Sequence, residues 1–296
     1  MHPLVVVQPW QLASEDPPDL EAAAVRFLAA GDSWFSLGAL NPARNSNLLH
    51  EMAFAQRCIA VNCAMPGDTL RRIAATRADP RFAQCLAGRA ARAWDALLLS
   101  AGGNDLVEAV ATPPRGRDGA AVPPARRLLL TEAERDPGTA PARHVSEPGW
   151  QAFARYVRAN VAAIVALRDA PRSLSKGCPT FLHGYATPTP RPAGAGFGRG
   201  PWLLPALEAY AIPAEDHAPL ARELSARLAT LLAGIAAAHP RENLHFFDTT
   251  AIPLAPASAN AEGESGDWLN EIHPNRQGFE KLAAPWSAHI EQTLAA

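Results

Sequence analysis

Five short apolar segments, 26–30, 58–63, 96–101, 180–184 and 244–248, recur along the chain with helical periodicity between them. Runs of this length mark buried strands, and their alternation with helices predicts an α/β fold with a parallel sheet covered on both faces. The helical stretches are 47–57, 69–78, 80–91, 150–170 and 217–238. Phe153, Tyr156, Val157, Val161, Ile164 and Val165 repeat at helical spacing in the fourth, and Leu220, Leu224, Leu228, Leu231 and Leu232 in the fifth. A last helix is expected from Pro274, a favoured first-turn residue, through Phe279, Leu282 and Trp286.

Two stretches break this rhythm. Residues 111–145 are rich in Pro, Arg and Gly, and 187–201 alternate Pro and Gly with small residues. Both follow expected strands, so both should emerge at the edge of the sheet where ligands bind. They are read as rim loops shaping a substrate entrance, insertions at about 107–147 and 187–201 in a single domain over 1–296.

Composition removes several function classes. The 296 residues are 48% hydrophobic and 19% charged with a formal net charge of −2, so no basic footprint for nucleic acid exists. Lysine occurs only as Lys176 and Lys281, which reflects arginine-rich genomic composition. No apolar run approaches a membrane span, and the N-terminus shows no signal peptide, although a trimmed leader would leave the same sequence. Cys58, Cys63, Cys85 and Cys178 have no Cys-x-x-Cys spacing and sit mostly in apolar segments. Reduced structural thiols and a cytoplasmic, bacterial-type enzyme are expected. His50, His144, His217, His239, His245 and His289 show no metal-ligand spacing, so no metal is expected. The partner is a small molecule; oligomeric state is not legible.

Candidate chemistry lies in four blocks, each at the end of an expected strand or just before a helix. Gly31-Asp32-Ser33 places a hydroxyl where a buried strand ends. Gly67, before the helix at 69, can turn its amide outward with no side chain in the way. Gly102-Gly103-Asn104-Asp105 ends a buried strand and presents an asparagine amide, and Asn270-Glu271-Ile272-His273-Pro274 places a histidine before the last helix. Acyl transfer needs a nucleophile, a base and donors for the oxyanion. Ser33 would attack, His273 would serve as base and then acid, and the Ser33 N–H, the Gly67 N–H and the Asn104 amide would hold the oxyanion.

This ordered series resembles the SGNH (GDSL-like) hydrolases, named for the Ser, Gly, Asn and His of their four blocks, here Ser33, Gly67, Asn104 and His273. The resemblance spans residues 31–275. It implies a flavodoxin-like three-layer α/β/α sandwich with a five-stranded parallel sheet, and ester or thioester hydrolysis without metal or organic cofactor. The segments 31–35, 183–185, 200–203 and 270–274 also look like those of a bacterial subgroup. In the family an aspartate usually stands three residues before the histidine, where this chain has Asn270. Asparagine can accept the imidazole N–H but supplies no charge, and a flipped amide would select the wrong tautomer. Asn270, Asp267 and Glu271 therefore all stand as orienting groups for His273.

His183, at a strand end, is read as a structural histidine before it is read as a base. Trp34, Tyr185 and Trp202 are candidate walls of the substrate site, with one of Trp34 and Phe35 facing the pocket. Asp68 and Asp105 are read as caps or turn ties. The functional expectation is a carboxylic ester hydrolase working through an acyl-enzyme on Ser33. A carbohydrate O-deacetylase with polar rim groups near Arg191 and Arg199, a thioesterase, and a catalytically degenerate binding protein are the alternatives.

Overall fold

The computed structural model describes residues 1–37, 45–75, 80–138, 140–196, 198–238 and 240–296. All five expected strands form: β2 (Val25–Gly31), β3 (Cys58–Asn62), β4 (Ala96–Ser100), β5 (Thr180–His183) and β6 (Leu244–Phe247). A sixth, β1 (Val5–Val7), joins the outer edge, so the sheet has six strands where five were expected. Its run of β-branched valines pairs in parallel with β3, Val6 opposite Ala60. Strand order is β1-β3-β2-β4-β5-β6, and every pairing is parallel.

Side chains alternate between two cores. Leu28, Val61, Leu97, Leu99 and Leu182 face one side, where they meet α4 (Gly103–Val110), α5 (Glu147–Arg168) and α7 (Ala214–Ala238). Phe27, Ala29, Ala60, Leu98 and Phe181 face the other, against Phe35 of α1 (Ser33–Ser36) and Phe279, Leu282 and Trp286 of α8 (Arg276–Ala295). Burial on both faces explains why the strands read as continuous apolar runs.

Four of the expected helical stretches differ in the structure. Residues 47–57 form a turn and a two-residue strand, Ala53–Phe54, antiparallel to His2–Pro3. Asn47 closes that turn by accepting from the His50 N–H at 3.0 Å and donating to the Leu37 carbonyl at 2.7 Å, while Leu48, Leu49, Met52 and Phe54 fill the α8-side core. Local side-chain bonding and burial override the helical spacing. The last helix starts two residues later, because Asn275 caps it by accepting from the Gly278 N–H at 3.0 Å and leaves Pro274 outside. The helix expected at 69–78 is α2 (Leu70–Ala74); residues 76–78 of that expectation, and likewise Phe197 and His239, lie outside the described residues. The stretch expected at 80–91 is the shorter α3 (Pro80–Ala87).

The insertion after α4 is largely ordered without strands of the main sheet, carrying short 3-10 turns at Pro124–Arg126, Glu132–Glu134 and Pro141–His144. Among the described residues no helix is long and apolar enough to cross a membrane.

Candidate active site

Strand order diverges between β2 and β4: from β2 the chain crosses to β3 on one side, and after β3 it returns to β4 on the other. In open parallel sheets the crevice beyond such a switch point is where ligands bind. Ser33 follows β2 and Asn104 follows β4, so both blocks sit at its lips. The two strands approach closely there: Gly31 pairs with Ser100, and a Cβ on Gly31 would stand 2.7 Å from that of Ser100. Only glycine fits.

Beyond Gly31, Asp32 caps α1 by accepting from the Trp34 N–H at 2.9 Å. The same buried carboxylate accepts from the Tyr185 hydroxyl at 2.6 Å and the Ser100 hydroxyl at 2.8 Å. Burial pushes Asp32 up to about 6, against the opposing pull of the hydrogen bonds from Tyr185, Trp34 and Ser100. The cap leaves Ser33 in the first helical position with its Oγ 2.6 Å from Nε2 of His273, 240 residues away. As at any helix start, the Ser33 N–H has no acceptor among the described residues.

Gly67 lies on the turn after β3. Its φ of 83° suits glycine, and nothing stands within 4 Å of where a Cβ would be. Bonds from Cys63 N–H to the Ala29 carbonyl (2.8 Å) and from Met65 N–H to the Gly31 carbonyl (3.0 Å) extend the sheet ladder and hold this turn beside β2. Gly102, left-handed at φ 108°, opens α4 and places Asn104 in its first turn. The Asn104 Nδ2 donates to the Asp68 carbonyl at 3.0 Å, which spends one of its two N–H groups and leaves the other. Asp105 accepts from Leu70 N–H at 3.0 Å and from the Tyr156 hydroxyl at 2.6 Å, so it caps α2 as expected of a turn tie.

His273 is buried, and desolvation lowers its pKa to about 4. Its Nδ1 lies 2.8 Å from Oδ1 of Asn270. That oxygen also accepts from the backbone N–H groups of Ile272 (3.2 Å) and His273 (3.0 Å). Two fixed backbone donors decide the amide orientation, because an NH2 group turned toward them could accept nothing. Oδ1 therefore faces the ring, Nδ1 carries the proton, and Nε2 is left as the acceptor facing Ser33.

The other two orienting groups are engaged elsewhere. Asp267 accepts from Lys281 Nζ and from Ala255 N–H, both at 2.6 Å. Glu271, fully buried, accepts from the N–H groups of Leu203 and Leu204 at 2.8 Å, from Arg191 N–H at 3.3 Å, and from Trp202 N–H. Burial raises its pKa despite those donors. Glu271 thus straps Arg191 and residues 202–204 to the histidine loop and brings Trp202 edge-on to the His273 ring, 5.4 Å between centroids. Replacing Glu271 with Gln would turn an amide N–H2 against backbone donors, at about 1–3 kcal/mol per donor left unpaired. Thermal unfolding of Glu271→Gln should fall by several degrees, with a loss of about tenfold in kcat/KM as Trp202 loses its seat.

Trp34 lines the cavity and donates from Nε1 to the Ile272 carbonyl at 3.2 Å, while Phe35 packs fully buried on Trp286. Tyr185 lines the cavity too, lying over Gly103, where a Cβ would meet its ring. His183 is buried among Trp34, Phe35, Tyr185 and Trp286, with its pKa lowered to about 4 by burial, and Nδ1 on the Gly184 carbonyl. It belongs to the aromatic floor. Arg191 is fully buried, bonding the Ala261 carbonyl at 2.8 Å and the Gly263 carbonyl, and so is no rim group. Sequence reading missed Ser100, the strap role of Glu271 and the cavity-facing side of α7; the leucines of α7 have the same spacing whether they face a core or a pocket.

The GDSL-like Lipase/Acylhydrolase family matches residues 29–281, from the end of β2 into α8. The chain belongs to that family. Among solved structures, an inhibitor-bound aryl esterase of M. smegmatis superposes on this family member with a TM-score of 0.51 at 11% identity, over 91% of this chain and 100% of the other. That likeness is one of fold. An extracellular lipase from Streptomyces rimosus (15% identity, TM-score 0.48, 90% of this chain and 99% of that one) and a carbohydrate acetylesterase from Sinorhizobium meliloti (11%, 0.47, 90% and 99%) are also similar. No curated protein matches this GDSL-like chain. Among its described residues no cluster of His, Cys, Asp or Glu could hold a metal ion, and none of its four cysteines is in a disulfide.

Proposed function

We propose that this chain is a serine hydrolase of carboxylic esters, acting as one catalytic domain through an acyl-enzyme on Ser33. The observation that carries the reading is the line Ser33 Oγ, His273 Nε2, His273 Nδ1, Asn270 Oδ1, with contacts of 2.6 and 2.8 Å and a tautomer fixed by the backbone. Ser33 Oγ attacks the ester carbonyl as Nε2 takes its proton. The carbonyl π electrons move to oxygen, where the N–H groups of Ser33 and Gly67 and the second Asn104 N–H stabilise the oxyanion. Collapse expels the alcohol, protonated by His273. Water then attacks the acyl-enzyme with His273 again as base, and the carboxylic acid leaves.

Asn270 takes the orienting role. It keeps the imidazole in the productive tautomer but adds no charge to balance the imidazolium. Reduced thiols, three of them buried, suit a cytoplasmic setting. A fluorophosphonate probe tests the reading: it should label the protein stoichiometrically, and peptide mapping should place the adduct on Ser33. An unlabelled, correctly folded protein would favour a binding-only role and overturn the proposal.

A further inference from the structure

The Asp32 carboxylate is held from three segments by neutral donors: the Trp34 N–H on α1, the Ser100 hydroxyl at the end of β4 and the Tyr185 hydroxyl just after β5, at 2.9, 2.8 and 2.6 Å. Ser100 holds Asp32 a second time, because its carbonyl accepts from the Asp32 N–H at 3.1 Å. These ties matter because α1 is a single turn, Ser33–Ser36. A helix so short keeps its direction only through contacts outside itself. The Ser33 N–H shares a peptide plane with the Asp32 carbonyl, which accepts from Phe35 N–H at 3.2 Å and from the Ser36 hydroxyl at 2.9 Å. Fixing Asp32 therefore fixes that plane, and the N–H leaves it on the side opposite the carbonyl.

Tyr185 also touches the other half of the oxyanion site. Its ring lies against Gly103, where a Cβ would come within 2.6 Å of Cε1, and it meets Trp34 edge-on at 4.9 Å between centroids. One side chain thus braces the residue before Ser33 and the residue before Asn104.

We infer that Tyr185 and Ser100 are positioning residues for the reaction at Ser33: through the Asp32 carboxylate, their hydroxyls aim the Ser33 N–H at the oxyanion. The inference rests on the ester hydrolase reading, which makes that N–H an oxyanion donor. Removing such a donor outright costs about a hundred- to a thousand-fold in turnover, and loosening one in place costs part of that. Acylation and deacylation both pass through an oxyanion that the bound ester does not yet carry, so the loss falls on kcat and spares KM. The two hydroxyls differ in one useful respect. Tyr185 lines the cavity, whereas Ser100 is fully buried and does not. A direct contact with substrate is open to the first and closed to the second.

The test is kcat, KM and thermal unfolding with p-nitrophenyl butyrate for wild type, Tyr185→Phe and Ser100→Ala. Both changes delete a hydroxyl and keep the carbon atoms, so the ring stays on Gly103. Each variant should lose at least about tenfold in kcat with KM within about twofold of wild type. In an Asp32→Ala background the Tyr185 hydroxyl has no carboxylate to hold, and Tyr185→Phe should then cost less than about twofold. A rise in KM for Tyr185→Phe with Ser100→Ala silent would make Tyr185 a substrate contact, and variants that lose only melting temperature would make the network structural. Either result overturns the inference, as does a Tyr185→Phe loss that persists in Asp32→Ala. Fluorophosphonate labelling separates this from the hydrolase reading, because the phosphoryl oxygen draws on the same donors as Ser33 attacks. Labelling should slow at least about tenfold in both single variants. A labelled wild type with variants labelled at the same rate ends the inference alone; an unlabelled wild type ends the hydrolase reading and this inference with it.

Discussion

Ser33→Ala is expected to lower kcat for p-nitrophenyl esters by roughly a million-fold, with thermal unfolding little changed. In triad hydrolases, loss of the nucleophile alone costs about as much as loss of the whole triad, because the serine and histidine act as one unit. Here Ser33 is 7% exposed and, among the described residues, its Oγ makes one hydrogen bond, to His273. Removing it takes away one small atom at the wall of a cavity, a change that leaves the packing of α1 in place. Trp34 still anchors α1 through Ile272, and Asp32 still caps it. The residual rate reports the oxyanion donors and binding alone, on the order of a thousand-fold or more over water. Single-turnover kinetics with active-site titration makes the measurement safe against traces of wild type. A variant that keeps a tenth of the wild-type rate would move the nucleophile away from Ser33.

The parts of the site that the sequence displays are those where one residue type is forced by backbone geometry. Gly31 must be glycine because Ser100 lies against it, and Gly102 because the turn into α4 is left-handed. These constraints leave short local signatures, and the four inner strands leave runs that burial on both faces makes continuous. Relations between distant segments leave no such mark. Glu271 stands next to Asn270, and only the fold separates a carboxylate aimed at backbone N–H groups 67–80 residues away from one aimed at the neighbouring imidazole. Asp267 is legible as an acid near the histidine, but its pairing with Lys281 follows from where α8 begins, which itself depends on the Asn275 cap. The edge strand β1 and the turn at 47–52 were hidden for the same reason: each depends on a partner elsewhere in the chain, β3 for the first and the α8-side core for the second.

Asn270→Ala is expected to cost at least about a hundred-fold in kcat, short of the roughly ten-thousand-fold lost with the acid in triads where that residue carries a charge. Its oxygen holds both the imidazole and the two backbone N–H groups that shape the loop, so truncation frees the ring to rotate and to choose the other tautomer. Asn270→Asp separates orientation from charge. A carboxylate there keeps all three hydrogen bonds and adds an attraction for the imidazolium, so the pKa of His273 must rise from about 4, where burial alone holds it. The base works in its neutral form, so wild-type kcat/KM should hold level as pH falls and decline only near pH 4. In Asn270→Asp the acid limb should move to higher pH, while kcat above that limb increases because the charge developing on His273 in the transition state now has a partner. An unchanged limb would mean that the aspartate is itself protonated in the buried site. A limb near pH 7 in the wild type would place a charged partner beside His273 that this geometry does not contain, and Asn270 would lose its role.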